Sequence, residues 1–252
     1  MDYTAPRLAG RVLVVEDHPV NQQVLAFQLD ELGLEYDLAD DGQAALDLLA
    51  RHAYDVVLMD WQMPGMDGDE ATRRIRQNPE FASLPVVAIT AHDGDAFRAA
   101  CRAAGASAYL GKPYDEDQLV ALLARWLSPA GAAPARVDGW PAPVGPAGNA
   151  IRPSLLDHAA LAARYPGNPA ILEQLDGMFH ATSLEGLAAL RQCAADRDTH
   201  QLAREAHKLR GGAASVLAYE VQRLAGELEA AAKNADWTRV DACLADLTRL
   251  FA

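Results

Sequence analysis

Three carboxylates stand directly after predicted strands in the first half of the 252-residue sequence. Glu16 and Asp17 follow the apolar run Arg11–Val15, and Asp60 follows the run Val56–Met59. In a parallel sheet the carboxyl ends of neighbouring strands meet at one edge, which would bring these carboxylates together. Clustered like charges are costly unless a cation neutralises them, and Mg²⁺ favours such oxygen ligands. The pattern therefore predicts a magnesium site.

Two further polar side chains are predicted at the same edge of the sheet. Thr90 follows the apolar run Val86–Ile89, and Lys112 follows the weaker strand candidate Ala108–Leu110. The ammonium group and Mg²⁺ would offset charge on phosphoryl oxygens, and the hydroxyl would hydrogen-bond one of them. With one of the carboxylates as the nucleophile, the set is that of a site that receives a phosphoryl group.

The surrounding sequence alternates strand-like and helix-like segments. The predicted strands are Arg11–Val15, Glu35–Leu38, Val56–Met59, Val86–Ile89 and Ala108–Leu110, and the predicted helices are Asn21–Leu32, Gln43–Arg51, Glu70–Gln77, Ala96–Ala104 and Glu116–Leu127. Five βα units in alternation predict a five-stranded parallel, doubly wound sheet with its site at the carboxyl ends of the strands.

The second half of the sequence has helical periodicity only. The segment 128–153 is rich in Pro, Ala and Gly and is typical of a linker. We therefore predict an α/β domain over residues 1–127, a linker over 128–153 and an all-α helical bundle over 154–252. The predicted helices of the bundle are Leu155–Arg164, Pro169–Cys193, Thr199–Leu217, Glu220–Lys233 and Trp237–Phe251.

One histidine of the bundle, His207, stands apart from the apolar stripe of its helix. The stripe is formed by Leu202, Ala206, Leu209, Ala213 and Val216. His207 lies roughly 140° from the centre of this stripe, at about 3.6 residues per turn, so it is expected to face solvent.

The neighbours of His207 are suited to a phosphoryl group. Gly211 and Gly212 follow one turn later, and each glycine costs a helix about 1 kcal/mol relative to alanine. This cost is reasonable if another molecule must approach closely. Lys208 and Arg210 add positive charge that suits a phosphoryl group.

The segments VLVVEDHPVNQ, DVVLMDWQMPGMDG, VVAITAH and AYLGKP resemble a response-regulator receiver domain. The resemblance implies a flavodoxin-like sheet, with Asp60 as the phosphoacceptor. It implies that Mg²⁺ is held by Glu16, Asp17, Asp60 and the backbone carbonyl of Gln62. It further implies that Thr90 and Lys112 contact the phosphoryl group and that Tyr109 is a switch residue. His18 stands where such sequences often have Asn, which is expected to affect only contacts at the rim of the site.

The segment AHKLRGGAASVLAYEVQRLAGELE resembles a histidine-phosphotransfer (HPt) domain, whose signature is His-x-Leu-Lys-Gly. The resemblance implies that His207 carries a phosphoryl group and that Lys208, Arg210 and Gly211 surround it. Arg210 replaces the lysine of the signature, which keeps the charge but changes the donor geometry.

Together the two resemblances predict a two-component phosphorelay protein. A sensor histidine kinase upstream would phosphorylate Asp60, and His207 would pass the group to the aspartate of a downstream response-regulator receiver. Two alternatives stay open: a phosphorylation-controlled interaction switch, in which the helical domain mainly binds partners, and a phosphate sink. The switch would not require His207, whereas the relay would.

Charge and motifs limit the other functions of the chain. The net charge of −13 disfavours nucleic acid as a partner. Without a GxxxxGK[ST] loop or a glycine-rich nucleotide lid, the chain is expected to be a phosphotransfer protein and not itself an ATP-dependent kinase. With neither a signal peptide nor a membrane span, it is expected to be cytoplasmic and to make no membrane contact. The opening residues also resemble the junction before the receiver of hybrid sensor kinases, so a free-standing protein and a relay portion of such a kinase are both open.

Overall fold

A computed structural model describes residues 8–90, 94–112, 114, 116–129, 155–165 and 168–251. The chain folds into two compact units, one formed mainly by its N-terminal half and one mainly by its C-terminal half. Most of the predicted linker, residues 130–153, lies outside the described residues, so the domain boundaries stay predictions.

The N-terminal unit is built on a five-stranded parallel sheet, as the sequence predicts. Its strands are β2 (Arg11–Val15), β3 (Glu35–Ala39), β4 (Val56–Asp60), β5 (Val86–Thr90) and β6 (Ala108–Gly111). Their order across the sheet is β3-β2-β4-β5-β6, and each neighbouring pair is parallel. The order reverses direction at β2, so a crevice opens at the carboxyl ends of β2 and β4.

Helices cover both faces of this sheet because the side chains of a strand alternate between its faces. The helices are α1 (Pro19–Glu31), α2 (Gly42–Leu49), α3 (Gly68–Gln77), α4 (Asp95–Ala104) and α5 (Glu116–Leu123). Val12 and Val14 share a core cluster with residues of α1 and α5. Leu13 and Val15 point the other way, into a cluster with residues of α2 and α3.

The sequence predictions miss some local features of this unit. Helix α5 ends at Leu123, four residues before the predicted end, and a turn over 124–126 follows. A short 3₁₀ helix (Pro79–Phe81) was not predicted. Two-residue strands β1 (Leu8–Ala9) and β7 (Ser128–Pro129) form an antiparallel pair, which apolar periodicity over so short a length does not reveal.

The C-terminal unit is helical throughout its described residues. Its helices are α6 (His158–Arg164), α7 (Pro169–Ala195), α8 (Thr199–Ser215), α9 (Tyr219–Lys233) and α10 (Trp237–Leu250). Four of them begin after an Asp or Asn side chain that accepts a hydrogen bond from a first-turn amide, at Asp157, Asn168, Asp198 and Asp236. The predicted core stripe of α8 is confirmed, since all five of its members are buried.

Cys101, Cys193 and Cys243 are free thiols in the structure. Among the helices that the structure describes, none is long and apolar enough to cross a membrane.

Candidate functional sites

Strand register places the three predicted carboxylates together in the N-terminal unit. Val15 of β2 pairs with Met59 of β4, so the residues that follow them, Glu16 and Asp60, reach the same edge of the sheet. The potential ligand atoms of Glu16, Asp17 and Asp60 all lie within 4.8 Å of one another. The predicted convergence of carboxylates is therefore present.

Lys112 bridges two of these carboxylates. Its Nζ lies 2.6 Å from Oε2 of Glu16 and 2.7 Å from Oδ2 of Asp60. The side chain of Lys112 is only 4% exposed and that of Glu16 only 1%, so water screens these pairs little. Because Lys112 directly follows β6, two strands from Asp60, the fold itself brings this cation to the acids.

Burial and charge shift the ionisation of this cluster. Burial first, and then the charge of Glu16, raise the pKa of Asp60 from its usual 3.8 to about 6, although Lys112 opposes the shift. For Lys112, burial alone would lower the pKa, but the charges of Asp60 and Glu16 outweigh it and raise the pKa above its ordinary value. Asp60 is therefore a carboxylate that is costly to ionise, held beside a permanent cation.

The backbone around Asp60 is fixed by the start of α3. A Cβ atom on Gly68 would lie 2.2 Å from the carbonyl oxygen of Asp60 and 2.9 Å from Cα of Trp61, so this position requires glycine. Gly68 N–H also donates to the carbonyl of Trp61 at 3.2 Å. On the other side, the backbone N–H of Gln62 donates to Oδ1 of Asp60 at 3.0 Å. Loop and helix together hold the Asp60 carboxylate in one orientation.

Two further predicted residues, Thr90 and Tyr109, lie on β5 and β6, the strands beyond β4 in the sheet. Thr90 ends β5 and is buried, and its carbonyl accepts a hydrogen bond of 2.6 Å from the backbone N–H of Lys112. Tyr109 lies on β6 with its ring buried, and the guanidinium of Arg98 lies 5.3 Å from the ring centroid. Thr90 is at the edge of the acidic cluster, whereas Tyr109 belongs to a separate cluster of buried residues that includes residues of α4.

The donor set of the cluster fits a hard divalent cation. Three carboxylates and one ammonium leave a net local charge of −2 when all are ionised, and each carboxylate offers an oxygen to the same small region. Oxygen ligands of this kind suit Mg²⁺, which keeps several waters when it binds to one or two carboxylates. The chemistry of the donors is thus consistent with the predicted metal.

The second predicted site lies on α8 of the C-terminal unit. His207 is not the bare solvent-facing imidazole that the helical wheel suggests, because α9 supplies a carboxylate to it. Nδ1 of His207 lies 3.2 Å from Oε2 of Glu229, and the same oxygen lies 3.0 Å from Nη1 of Arg210. The other oxygen of Glu229 accepts a hydrogen bond of 2.6 Å from Lys233.

These contacts determine which ring nitrogen of His207 carries a proton. The cations around Glu229 hold its pKa at about 2, against the burial that would raise it, so the carboxylate is ionised and can only accept hydrogen bonds. Nη2 of Arg210 also lies 3.3 Å from Nδ1, but Arg210 already donates to Glu229. We therefore assign the proton to Nδ1, so that Nε2 is the ring nitrogen that carries the lone pair.

Glu229 was not among the predicted site residues, although the sequence carries a signal for it. Val221, Leu224, Ala225, Leu228 and Ala232 form the buried stripe of α9, and Glu229 lies on that stripe. A carboxylate in a buried apolar stripe requires a cationic partner. The prediction that His207 faces solvent assigned no such partner to Glu229.

The predicted residues around His207 divide into two groups. Arg210 does contact His207, but its charge is directed at Glu229 in this structure. Lys208 and Gly211 lie on α8 within one turn of His207, as their spacing requires.

Comparison with known proteins agrees with the division into two units. Residues 12–124 match the family model of the response regulator receiver domain, and residues 174–252 match that of the Hpt domain. The sensor protein GacS of Pseudomonas syringae pv. syringae is 34% identical over 209 residues, which are 81% of this chain and 22% of GacS. The virulence sensor protein BvgS of Bordetella bronchiseptica is 34% identical over 215 residues, 82% of this chain and 17% of BvgS.

The solved structures that match the N-terminal half of the chain include the receiver domain of the sensor histidine kinase PA1611 from Pseudomonas aeruginosa PAO1, 39% identical, with a TM-score of 0.45; the match covers 47% of this chain and 97% of that one. The chain spans only about a fifth of the length of GacS and of BvgS.

Asp60→Asn is expected to stabilise the chain in metal-free buffer, and the gain should depend on pH. The folded pKa of about 6 exceeds the ordinary 3.8 by roughly two units, so the ionised carboxylate costs up to about 3 kcal/mol above pH 6. Below about pH 4 the carboxyl is protonated in both states and the cost disappears. Urea unfolding at several pH values should show a difference between variant and wild type that appears between about pH 4 and 6 and is constant above. The same exchange at exposed Asp47 should give no such step, and a flat difference for Asp60→Asn would contradict the assignment.

Glu229→Gln tests the carboxylate beside His207. Because the folded pKa of Glu229 lies at about 2, below its usual 4.5, its ionised form stabilises the native state at neutral pH. That contribution is present above about pH 4.5 and is lost as the pH falls towards 2. Relative to wild type, the variant should be less stable at pH 7, and the gap should close in this acid window when unfolding is followed by circular dichroism. Glu173→Gln, at an exposed position of α7, is the control and should show no gap; a Glu229→Gln gap that is independent of pH would refute the ionised contact.

Proposed function

We propose that this chain, which carries a response regulator receiver domain and an Hpt domain, acts as a two-step phosphorelay. In the first step Asp60 accepts a phosphoryl group from a phosphohistidine of a sensor kinase. In the second step His207 takes a phosphoryl group from a receiver aspartate or returns it to one. The downstream acceptor is the aspartate of another response-regulator receiver.

The observation that supports this proposal is that each candidate nucleophile lies beside a charged side chain suited to its role: an ammonium beside Asp60 and a carboxylate beside His207. Asp60 lies 2.7 Å from a buried ammonium that can neutralise phosphoryl oxygens. His207 has its Nδ1 turned to an ionised carboxylate, which favours attack through Nε2. An interaction switch would need Asp60 but not the arrangement around His207, so the relay accounts for more of the chain.

In the first step an oxygen of the Asp60 carboxylate attacks the phosphorus of the donor. A new P–O bond forms as the P–N bond to the donor imidazole breaks, and the product is an acyl phosphate. The ammonium of Lys112 is positioned to offset part of the negative charge on the transferred oxygens, as it already does for the carboxylate of Asp60. Thr90 ends β5, the strand beside β4, and its hydroxyl would hydrogen-bond one of the transferred oxygens.

In the second step Nε2 of His207 attacks the phosphorus of an acyl phosphate. The P–N bond forms while the P–O bond to aspartate breaks, and the carboxylate is regenerated. The imidazole gains positive character as it bonds to phosphorus, and its proton stays on Nδ1. Glu229 would stabilise that charge through its existing contact with Nδ1. Arg210 contacts both Oε2 of Glu229 and Nδ1 of the ring, so it would help to hold this pair in place.

Magnesium is part of the proposal, with Glu16, Asp17, Asp60 and the backbone carbonyl of Gln62 as its ligands. When bound, Mg²⁺ would supply a positive charge that favours phosphoryl transfer and that offsets the like charges of the cluster. Since Lys112 already pairs with Glu16 and Asp60, the protein alone provides one of the positive charges, and a divalent ion would provide the remainder.

The similarity to GacS and BvgS, both named as sensor proteins, supports a place for this chain in signal transduction. The partners that follow from this are a histidine kinase as donor and a response regulator as acceptor. Because the matched residues are only about a fifth of those relatives, the identity of both partners is part of the proposal.

Radiolabelled acetyl phosphate or a labelled donor kinase, supplied with Mg²⁺, tests the relay in the full chain. Wild type should hold two kinds of label: an alkali-labile acyl phosphate and an alkali-stable, acid-labile phosphohistidine. Asp60→Asn should take up no label from acetyl phosphate, and His207→Gln should hold only the alkali-labile kind. Both kinds of label are to be measured at matched protein concentration.

His200→Gln is the matched control, because it removes an exposed imidazole from the same helix. It should behave like wild type. If His207→Gln and wild type carry the same label with every donor, His207 is not a phosphoryl carrier and the binding-switch interpretation replaces the relay.

A further inference from the structure

One glutamine of α1 is joined to the acidic cluster without belonging to it. Nε2 of Gln22 donates one hydrogen bond of 2.7 Å to the backbone carbonyl of Glu16 and one of 2.8 Å to Oδ1 of Asp40. A side-chain amide has two N–H donors, so both are used in these contacts. Gln22 therefore connects the end of β2 to the end of β3.

These bonds restrain the backbone that carries two of the three carboxylates. The N–H of Glu16 donates to the carbonyl of Ala39 at 3.0 Å, so Glu16 is held on its amide side by β3 and on its carbonyl side by Gln22. The carbonyl of Glu16 and the amide of Asp17 belong to one rigid peptide plane. Fixing that carbonyl consequently fixes the direction in which the chain presents Asp17.

The second acceptor, Asp40, ties the next turn to the same point. Asp40 is exposed and directly follows β3, and its neighbour Asp41 caps α2 by accepting a hydrogen bond of 2.7 Å from the N–H of Ala44. The β3–α2 turn is thus anchored on one side by a helix cap and on the other by Gln22. The amide N–H of Gln22 also offsets part of the negative charge of Asp40.

From this geometry we propose that Gln22 is a positioning residue for divalent-cation binding. It orders the Glu16–Asp17 peptide before the ion arrives, so the entropy of arranging those ligands is not lost on binding. The inference rests on the Mg²⁺ site of the proposed function, and it adds a residue that touches neither the ion nor the phosphoryl group.

Mg²⁺ affinity of the full, unphosphorylated chain, measured by isothermal titration calorimetry, tests this role. Gln22→Met keeps the length and bulk of the side chain but removes both donors, and it should weaken Mg²⁺ binding about ten-fold, the lower end of the range for partners of metal ligands. Gln23→Met, the same exchange at the neighbouring position, should leave the dissociation constant unchanged. Asp40→Asn retains an oxygen that can accept the bond and should change the affinity less than Gln22→Met does.

A readout without metal separates positioning from general loss of structure. In the metal-free chain, Gln22→Met should speed hydrogen exchange at the Glu16 amide while the melting temperature stays near that of wild type. Should Gln22→Met fail to fold, Asp40→Ala, at an exposed position, cuts one of the two bonds and should still weaken Mg²⁺ binding measurably. If folded Gln22→Met binds Mg²⁺ as tightly as wild type, the inference is wrong. If wild type itself binds no Mg²⁺, the metal part of the proposed function fails instead.

Discussion

The N-terminal unit depends on a single electrostatic constraint: two buried carboxylates share one buried ammonium. Removing charged groups from water costs several kcal/mol each, and Lys112 compensates Glu16 and Asp60 only in part. The part of this cost that Lys112 does not compensate raises the pKa of Asp60. This imbalance gives the site an affinity for a further positive charge. The rest of the unit keeps it in place, since the strand register sets the spacing, Gly68 lets α3 approach the Asp60 peptide and Gln22 holds the Glu16 carbonyl.

In the C-terminal unit the arrangement of charges is reversed. There a single buried carboxylate, Glu229, is shared by His207, Arg210 and Lys233, and the excess of positive charge lowers its pKa. An anion fixed in this way fixes the imidazole in turn. In both units a polar side chain on a packed element is held by charged neighbours, so the fold sets its orientation.

Much of this architecture was predictable, because strand alternation and helical periodicity determine which face of an element is buried. The buried stripe of α8 and the convergence of Glu16, Asp17 and Asp60 followed from period and order alone. Side-chain contacts that depend on how a helix packs on its neighbours were not predictable. The contact of Glu229 with His207 depends on how α9 packs on α8, and that of Gln22 with Asp40 on how α1 packs beside β3. The early end of α5 likewise reflects a turn that helix propensity does not encode.

The exchange of a phosphoryl group between Asp60 and His207 is the central claim, and a mixing experiment tests it most directly. His207→Gln protein, labelled on Asp60 and freed of its donor, is added to Asp60→Asn protein in the presence of Mg²⁺. If the two residues form a relay, alkali-stable label should appear on the Asp60→Asn chain as it leaves the first protein. If the label passes only to inorganic phosphate, at the rate seen with an acceptor that lacks both residues, the relay between these two sites is contradicted.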